Sequence, residues 1–401
     1  MPTLTGTQGH GGSIRGQASG AAGFALGRFG QMFGDLSERP VHSDAVLLDL
    51  ADLMTGQWPV PAGGSPPDID RGKPIRDIPA SGGAPAISAA DPGDENPAIP
   101  AGYTYFGQFV DHDMSFDPTP LHGRTVDVAA MEDFRSPGLD LDSVYGNGPA
   151  NQAFLYTFGT DGLARLRVGD AIAAPGAVGA ISRHDLLRLP ADVNGRAAVI
   201  GDKRNDENKI VAQLHSVFIA LHNKLIGDVA TLKRMGGEFD AGDAGERFRR
   251  TVKAVRWHYQ WVVLNDYVRD RICEPGIVSE VVNAGGVPRI GNYMSQKPEF
   301  PYIPVEFAVA AYRLGHSMVR PTYALNTVIG GPGSFGDERI PIFKPAAAPD
   351  AALNGFGQAI PAQWGIDWSF FLDGLPRAAA AAGFAIPQPS YRIDATLVDP
   401  G

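Results

Sequence analysis

The run Gln108-Phe109-Val110-Asp111-His112-Asp113 places an amide, two carboxylates and an imidazole on little more than one turn of helix. Gln108 and His112 are four residues apart, so on a helix they point the same way, with Asp111 near that face and Asp113 turned away. Polar groups this dense, directly after the aromatic segment 103–106, predict a buried site. A lone Asp–His pair is more often a hydrogen-bonded core histidine beside a helix cap, so the choice depends on the rest of the chain.

The composition bounds the class of protein. With 401 residues the chain can bury a large core, and nothing requires more than one domain. Charged residues make up only 19%, beside 50 Gly and 33 Pro, which indicates a compact protein with many ordered loops. The net charge of −10 argues against a nucleic-acid partner.

Cys273 is the only cysteine, which excludes an intramolecular disulfide, a cysteine zinc site and an iron–sulfur cluster. The N-terminal segment lacks the apolar core of a signal peptide. The sequence has no uninterrupted run of about 18 apolar residues, so no membrane span is expected. A cytoplasmic protein is therefore expected, with leaderless export left open.

Helical periodicity appears in separate blocks, with stretches rich in Pro and Gly before and between them. Residues 1–40 are expected to form an N-terminal arm and residues 41–401 one domain, with a long wrapping loop over about 56–100. The predicted helices cover about 101–113, 207–233, 245–272 and 305–319, with a weaker one over about 366–375. The prediction is a mainly α, single-domain fold with long wrapping loops and little β structure.

A second polar group, Asp202-Lys203-Arg204-Asn205-Asp206-Glu207-Asn208, stands at the start of the strongest predicted helix. Caps and acids are common there, but a cation opposes the helix dipole, so Arg204 is expected to serve another purpose. Downstream, His316 lies in an apolar helix that Pro321 ends. Alone, such a histidine is more often a core residue than a metal ligand. Core or supporting roles are also assigned to His215, His222 and His258.

The loop Ser136-Pro137-Gly138-Leu139-Asp140-Leu141-Asp142 carries an oxygen-bearing group at every second residue. A hard cation such as Ca²⁺ takes about six to eight oxygens from a loop of this kind. A loop rich in Asx turns explains the pattern equally well, so both interpretations stay open.

In this order, the motifs resemble those of the animal-type haem peroxidase (peroxidase–cyclooxygenase) superfamily in its bacterial form. The resemblance covers about residues 96–323 and is carried by the segments 107–113, 139–146, 202–207 with 221–223, and 312–316. It implies a helical haem peroxidase domain that binds haem b and Ca²⁺. It also implies the activity, which is reduction of H₂O₂ with oxidation of small organic donors or halides.

The resemblance further implies a role for individual residues. The catalytic candidates are His112 as the distal histidine, Gln108 as its partner and Arg204 as the distal arginine. His316 is the expected proximal ligand of the haem iron. The other expected cofactor-binding residues are Arg313, Asp111 and Glu207, the last two matching carboxylates that can form ester links to haem in mammalian members. The expected calcium ligands are Asp113, Ser136, Gly138, Asp140 and Asp142.

These residue types suit peroxide chemistry. A neutral imidazole can take a proton from one peroxide oxygen and return it to the other. A fixed guanidinium stabilises the negative charge that develops as the O–O bond breaks, and a proximal histidine holds the iron. A sulfonium link to haem is not expected, because Asn208 stands where myeloperoxidase has a methionine. Calcium held through Asp113 would fix the position of His112.

The sequence departs from the cyclooxygenase-like branch at Arg313, because the fatty-acid dioxygenases have a radical-forming tyrosine at that position, three residues before the proximal histidine. Tyr312 is four residues before it and is expected to point elsewhere on the helix. A peroxidase is therefore favoured over a fatty-acid dioxygenase, which stays as an alternative.

The chain also departs from the family after His316. Members carry a downstream Asn-x-x-Arg-Gly-Arg segment whose asparagine hydrogen-bonds the proximal imidazole, and this chain ends at Gly401 without one. A domain incomplete at its C-terminus is expected, with no orienting partner for His316. A third alternative is therefore a non-catalytic or half-site chain that needs a C-terminal fragment of the same precursor.

Overall fold

A computed structural model describes residues 29–30, 32, 43, 45, 95–117, 132–177, 183–191, 194–283, 302–330, 339–342, 352–376 and 387–393. Almost all of the predicted N-terminal arm and of the predicted loop over 56–100 lies outside these residues. Within them the mainly α prediction is confirmed. The α-helices are α1 Gly102–Met114, α2 Asp142–Tyr145, α3 Lys209–Leu225, α4 Val229–Arg234, α5 Ala244–Trp261, α6 Pro275–Asn283 and α7 Val305–Val309.

Shorter helical segments connect these elements. A π-helix, Val262–Ile272, continues α5 without a break in the chain. One-turn or two-turn 3₁₀ helices cover Ala153–Leu155, Asn194–Arg196, Lys203–Asp206, Ala311–His316 and Trp368–Phe370.

The strands form three small antiparallel pairs. They are β1 Glu95–Pro100, β2 Tyr156–Phe158, β3 Ala164–Leu166, β4 Thr322–Tyr323, β5 Ile340–Pro341 and β6 Pro389–Tyr391. β1 pairs with β6, Glu95 opposite Tyr391, and the register slips between Asn96 and Pro100. β2 pairs with β3 and β4 with β5. The little β structure that was predicted is confirmed.

The core forms where α1 crosses α3 and α5. Phe109 of α1 stacks on Phe218 of α3 with ring centroids 4.8 Å apart. Tyr259 of α5 meets both rings edge-on, at 6.0 and 5.6 Å. Each side chain of this size that becomes buried stabilises the fold by roughly 1.5–3 kcal/mol. α1 is buried on nearly all sides, so its polar residues lie inside the molecule.

Gly107 allows the π-helix to approach α1. A Cβ atom at this position would collide with the hydroxyl of Tyr267. The glycine therefore leaves room for the Tyr267 hydroxyl, next to Gln108 and the other polar residues of α1.

The predicted helix over 207–233 is two helices. α3 begins at an Asn208 cap whose side chain accepts hydrogen bonds from the backbone N–H of Ile210 (3.1 Å) and Val211 (2.9 Å). It ends before Gly227, and Asp228 caps α4 by accepting from the N–H of Thr231 at 3.0 Å. The cap at Asn208 holds the polar group around Arg204 at the start of α3.

The predicted continuous helix over 305–319 is wrong. α7 ends at Ala310, which has φ −128° and ψ −71°, and the chain continues as the 3₁₀ helix Ala311–His316. The Tyr312 hydroxyl donates to the Gly107 carbonyl of α1 at 3.2 Å, so contact with α1 outweighs local helix propensity here. The weaker helix over 366–375 is reduced to one 3₁₀ turn. Among the helices of the described segments, none combines the length and apolarity needed to cross a membrane.

Candidate active site

A cavity of about 410 Å³ is bounded by α1, the turn before α3 and the 3₁₀ helix Ala311–His316. Tyr105, Tyr267 and Met318 contribute to its wall. All seven predicted catalytic and cofactor-binding residues line it: Gln108, Asp111, His112, Arg204, Glu207, Arg313 and His316. The structure therefore brings three distant parts of the sequence to one site.

His112 is buried on α1. Its Nδ1 atom lies 2.8 Å from Oδ1 of Asn205. Burial, assisted by the positive charge of Arg204, lowers the pKa of His112 to about 4. The imidazole is therefore neutral at neutral pH, which is the form that can accept a proton.

Arg204 is fixed by one carboxylate and one backbone carbonyl. Its Nη2 donates to Asp202 Oδ2 at 2.7 Å and to the carbonyl of His112 at 2.9 Å. Its guanidinium also lies 4.6 Å from the ring centroid of Phe116. Nη1 has no hydrogen-bond partner among the described residues, and Arg204 lines the cavity.

Gln108 is held at both ends of its amide. Its Nε2 donates to Glu207 Oε2 at 2.6 Å, and its Oε1 accepts from Asn208 Nδ2 at 3.0 Å. Asn208 thus caps α3 and orients Gln108 with the same side chain. Burial raises the pKa of Glu207, although Gln108 and nearby cations oppose the shift.

Asp111 and Arg313 form an ion pair across the cavity wall. Nη1 of Arg313 lies 3.2 Å from Oδ2 of Asp111, and Ser115 donates to the other carboxylate oxygen at 3.0 Å. The pair connects α1 to the 3₁₀ helix. Since the Arg313 side chain is 45% exposed, the interaction contributes modestly to stability.

His316 is exposed at the margin of the cavity. The sequence, by contrast, predicts that His316 lies in an apolar helix. Its Nδ1 is 2.9 Å from the carbonyl of Arg313, three residues earlier. The expectation that His316 lacks an orienting partner is therefore wrong: its own backbone supplies one, which leaves Nε2 for a ligand.

Tyr312 lines the cavity, so the expectation that it points elsewhere is also wrong. Its hydroxyl hydrogen is committed to the Gly107 carbonyl. The broken helix accounts for this difference, because a 3₁₀ turn rotates Tyr312 differently from an α-helix.

The predicted calcium ligands occupy the opposite side of α1 from the cavity. Carboxylate oxygens of Asp113, Asp140 and Asp142 lie within 4.8 Å of one another. The other two predicted ligands have other contacts. The Ser136 hydroxyl accepts from the Gly138 N–H at 3.1 Å, and the Gly138 carbonyl accepts from Gln260 at 3.2 Å.

The chemistry of this acidic cluster fits a cation. Burial raises the pKa of Asp113 to about 6 and that of Asp142 to about 8, and Asp140 adds to both shifts. Oδ1 of Asp142 is buried and has no hydrogen-bond partner, although Arg135 approaches it at 3.4 Å. Three buried or half-buried carboxylates with an unsatisfied oxygen are the donor set that a hard cation prefers.

Sequence reasoning missed two groups of residues. The sequence assigns Asn205 no role in the site, yet Asn205 joins His112 to His215, its Nδ2 lying 3.0 Å from His215 Nδ1. The sequence also assigns no role to Arg135, yet Arg135 shares Asp202 with Arg204. No local pattern indicates either contact, because each joins residues that are far apart in the sequence.

The chain is similar to known proteins over part of its length. Residues 130–357 match the family model "Animal haem peroxidase". Human thyroid peroxidase is 28% identical over 192 residues, which are 46% of this chain and 19% of that protein. Peroxidasin from Drosophila melanogaster is 26% identical over 127 residues, 31% of this chain and 7% of that protein.

Among solved structures, peroxidase A from Dictyostelium discoideum aligns with a TM-score of 0.41 and 13% identity, covering 76% of this chain and 58% of that one. The segment that matches human thyroid peroxidase covers about a fifth of the length of that protein. Since the family model matches more than half of the residues, the chain belongs to the animal haem peroxidase family.

Proposed function

We propose that this chain is a haem-dependent peroxidase that reduces hydrogen peroxide and oxidises small organic donors or halides. The observation that carries the proposal is the single cavity that joins neutral His112, Arg204 and the free Nε2 of His316. Imidazole, guanidinium and an iron ligand are the three groups that peroxide cleavage requires.

We propose that haem occupies this cavity. Its volume lies within the range of about 300–1,000 Å³ that is usual for cofactor and small-molecule sites. His316 would hold the iron through Nε2. Asp111 and Glu207 would hold the rim of the ring and are proposed to form ester links with it. When bound, haem supplies an iron centre that exchanges electrons with peroxide and with the donor.

The protein's own residues would manage the proton and the charge. The free ring nitrogen of His112 takes the proton of one peroxide oxygen and returns it to the oxygen that leaves as water. Arg204 stabilises the negative charge on the leaving oxygen through Nη1. Gln108, fixed between Glu207 and Asn208, limits the positions that peroxide can adopt.

We also propose that Ca²⁺ occupies the acidic cluster of Asp113, Asp140 and Asp142, with Ser136 and Gly138 as further ligands. The supporting observation is the buried Asp142 oxygen that accepts no hydrogen bond. Because Asp113 adjoins His112 on α1, a bound cation would restrict the movement of the catalytic histidine.

A fatty-acid dioxygenase is the second candidate, and the position of Tyr312 in the cavity wall favours it. Oxygen uptake with an unsaturated fatty acid and no added peroxide would support this activity. Tyr312→Phe should then abolish the uptake.

The peroxidase proposal is tested by adding haem to the purified chain and recording the absorption spectrum and the peroxide-dependent oxidation of a phenol. A Soret band and turnover are expected. His112→Ala should keep haem uptake and lose activity by about 10²- to 10⁴-fold, because the proton acceptor is gone. Extraction with acidified acetone should leave haem on the protein where ester links have formed.

His258→Ala is the matched control, because His258 is exposed on α5 and should leave activity unchanged. Full activity in His112→Ala would rule out the assigned catalytic histidine. Failure of the chain to take up haem would support the half-site alternative, in which native mass measurement should find a C-terminal partner.

A further inference from the structure

Three buried side chains lead from the candidate active site into the core. His112 Nδ1 lies 2.8 Å from Asn205 Oδ1, and Asn205 Nδ2 lies 3.0 Å from His215 Nδ1. His112 is 5% exposed, Asn205 0% and His215 1%. Solvent therefore does not compete for these two hydrogen bonds.

The Asn205 amide gives this series of two hydrogen bonds a direction. A carbonyl oxygen only accepts and an amide nitrogen only donates. His112 Nδ1 must therefore carry a proton, while His215 Nδ1 must not. A neutral imidazole carries one ring proton, so with that proton on Nδ1 the lone pair of His112 is on Nε2.

His215 is the second partner of the amide. It lies on α3 and packs edge-on against Phe109 at 6.3 Å, so its ring is held in place by the core. Rotation of the Asn205 amide by half a turn would require the protons of both imidazoles to change nitrogen, so the orientation of Asn205 and the tautomers of His112 and His215 are coupled. In the structure Nδ2 faces His215 and Oδ1 faces His112, which is the orientation that requires Nδ1–H in His112.

We infer that Asn205 and His215 are positioning residues that hold His112 in the Nδ1–H tautomer, with the Nε2 lone pair available to the cavity. The inference rests on the proposed function for its catalytic consequence, since a proton acceptor is useful only if its lone pair faces the peroxide. The tautomer itself follows from the geometry alone, so it is measurable whether or not the chain turns over peroxide.

The tautomer is tested by NMR of the full-length chain labelled with ¹⁵N-histidine, at neutral pH and without added haem. The His112 signals are assigned by their loss in His112→Gln. The expected result is a protonated Nδ1 and an unprotonated Nε2 in His112, and the reverse in His215. A protonated Nε2 in His112 of the unaltered chain would overturn the inference.

Variants separate positioning from folding. Asn205→Leu is close in size but has no polar atoms, so His112 should show both tautomers. With haem added, its rate constant for reaction with peroxide should fall about 10- to 100-fold, the usual loss when a histidine loses its orienting partner. Asn205→Asp restores the acceptor oxygen and should recover both the Nδ1–H signal and most of the rate.

A second variant keeps the test decisive if Asn205→Leu fails to fold. His215→Phe preserves volume and removes the acceptor, so the amide of Asn205 can adopt both orientations and His112 should again show mixed tautomers. A single unchanged tautomer in whichever of these variants folds would overturn the inference.

His222→Gln is the control. His222 is also buried on α3, but its ring nitrogens contact the Tyr145 hydroxyl and the Ala164 carbonyl. It contacts none of the three side chains of the series. It should change neither the His112 signals nor the rate. If the unaltered chain shows the expected tautomer but no reaction with peroxide, the proposed function fails while the positioning inference stands.

Discussion

At the scale of single residues, Asp202 connects the candidate active site to the acidic cluster. Its carboxylate lies 2.6 Å from Nη2 of Arg135 and 2.7 Å from Nη2 of Arg204. Arg135 in turn approaches Asp142 at 3.4 Å. Burial works against ionisation of Asp202, but the bonds from the two arginines lower its pKa below the usual range. Arg204 is thus positioned by a buried anion rather than by its own helix.

Asp202→Asn should strongly destabilise the protein, because it leaves two guanidinium groups without their shared carboxylate. Breaking a buried pair in this way costs about 3–5 kcal/mol. Urea unfolding measures the change in the free energy of unfolding. Asp161→Asn is the matched control, since the Asp161–Arg165 pair is largely exposed and its loss should be undetectable. Equal effects in the two variants would contradict the role of Asp202.

At the scale of elements, the loop over 136–142 is tied to α1 by Asp113. The Asp113 carboxylate accepts from the Leu141 N–H and from the Ser143 hydroxyl, both at 3.1 Å. Leu139 and Leu141 adopt the left-handed region, with φ of 51° and 59°, which costs of order 1–3 kcal/mol for each such residue. The contacts of the acidic cluster hold the loop in this conformation.

Calcium should therefore raise the melting temperature of the chain. A ligand present at about 100 times its dissociation constant stabilises the folded state by about 2.7 kcal/mol, which is several degrees for a domain of this size. Asp140→Asn should remove most of the shift because one of the three carboxylates is lost. Glu280→Gln, an exposed change on α6, should respond to calcium like the unaltered chain. If added calcium leaves the melting temperature of the unaltered chain unchanged, the proposed calcium site is ruled out.

At the scale of the whole molecule, the helical core encloses neutral histidines. His215 and His222 are buried on α3, and burial lowers the pKa of each to about 4. An unfolded chain binds protons at these rings near pH 6.5, whereas the folded chain resists protonation until about pH 4. Their contribution to stability is fully present above pH 6.5 and is lost as the pH falls from 6.5 to 4.

His222→Gln should therefore flatten the dependence of stability on pH. Between pH 6.5 and 4, the unaltered chain should lose up to about 3 kcal/mol more than the variant in free energy of unfolding, since each pKa unit corresponds to about 1.4 kcal/mol. The difference between the two unfolding curves at several pH values measures this quantity. Parallel curves would mean that His222 is already protonated in the folded state or that it titrates normally.

The sequence predicted the helices well wherever one apolar face is repeated over many residues. α1, α3 and α5 lie where the periodicity placed them, because their packing agrees with their local propensity. It failed around residues 305–319, where Tyr312 and Arg313 contact α1 and the helix breaks at Ala310. In this segment the long-range contacts outweigh local helix propensity, and periodicity carries no information about such contacts.

The sequence by itself determined the mainly α class and the residue types of the site, because helix periodicity and the spacing of motifs are local properties. Only the tertiary structure decided how these residues are held. It tied Arg204 to Asp202 beside Arg135, gave His316 a partner in its own backbone, and joined His112 to His215 through Asn205. His112 and Asn205 are 93 positions apart, and a 2.8 Å hydrogen bond between them exists only because α1 packs against the turn that precedes α3.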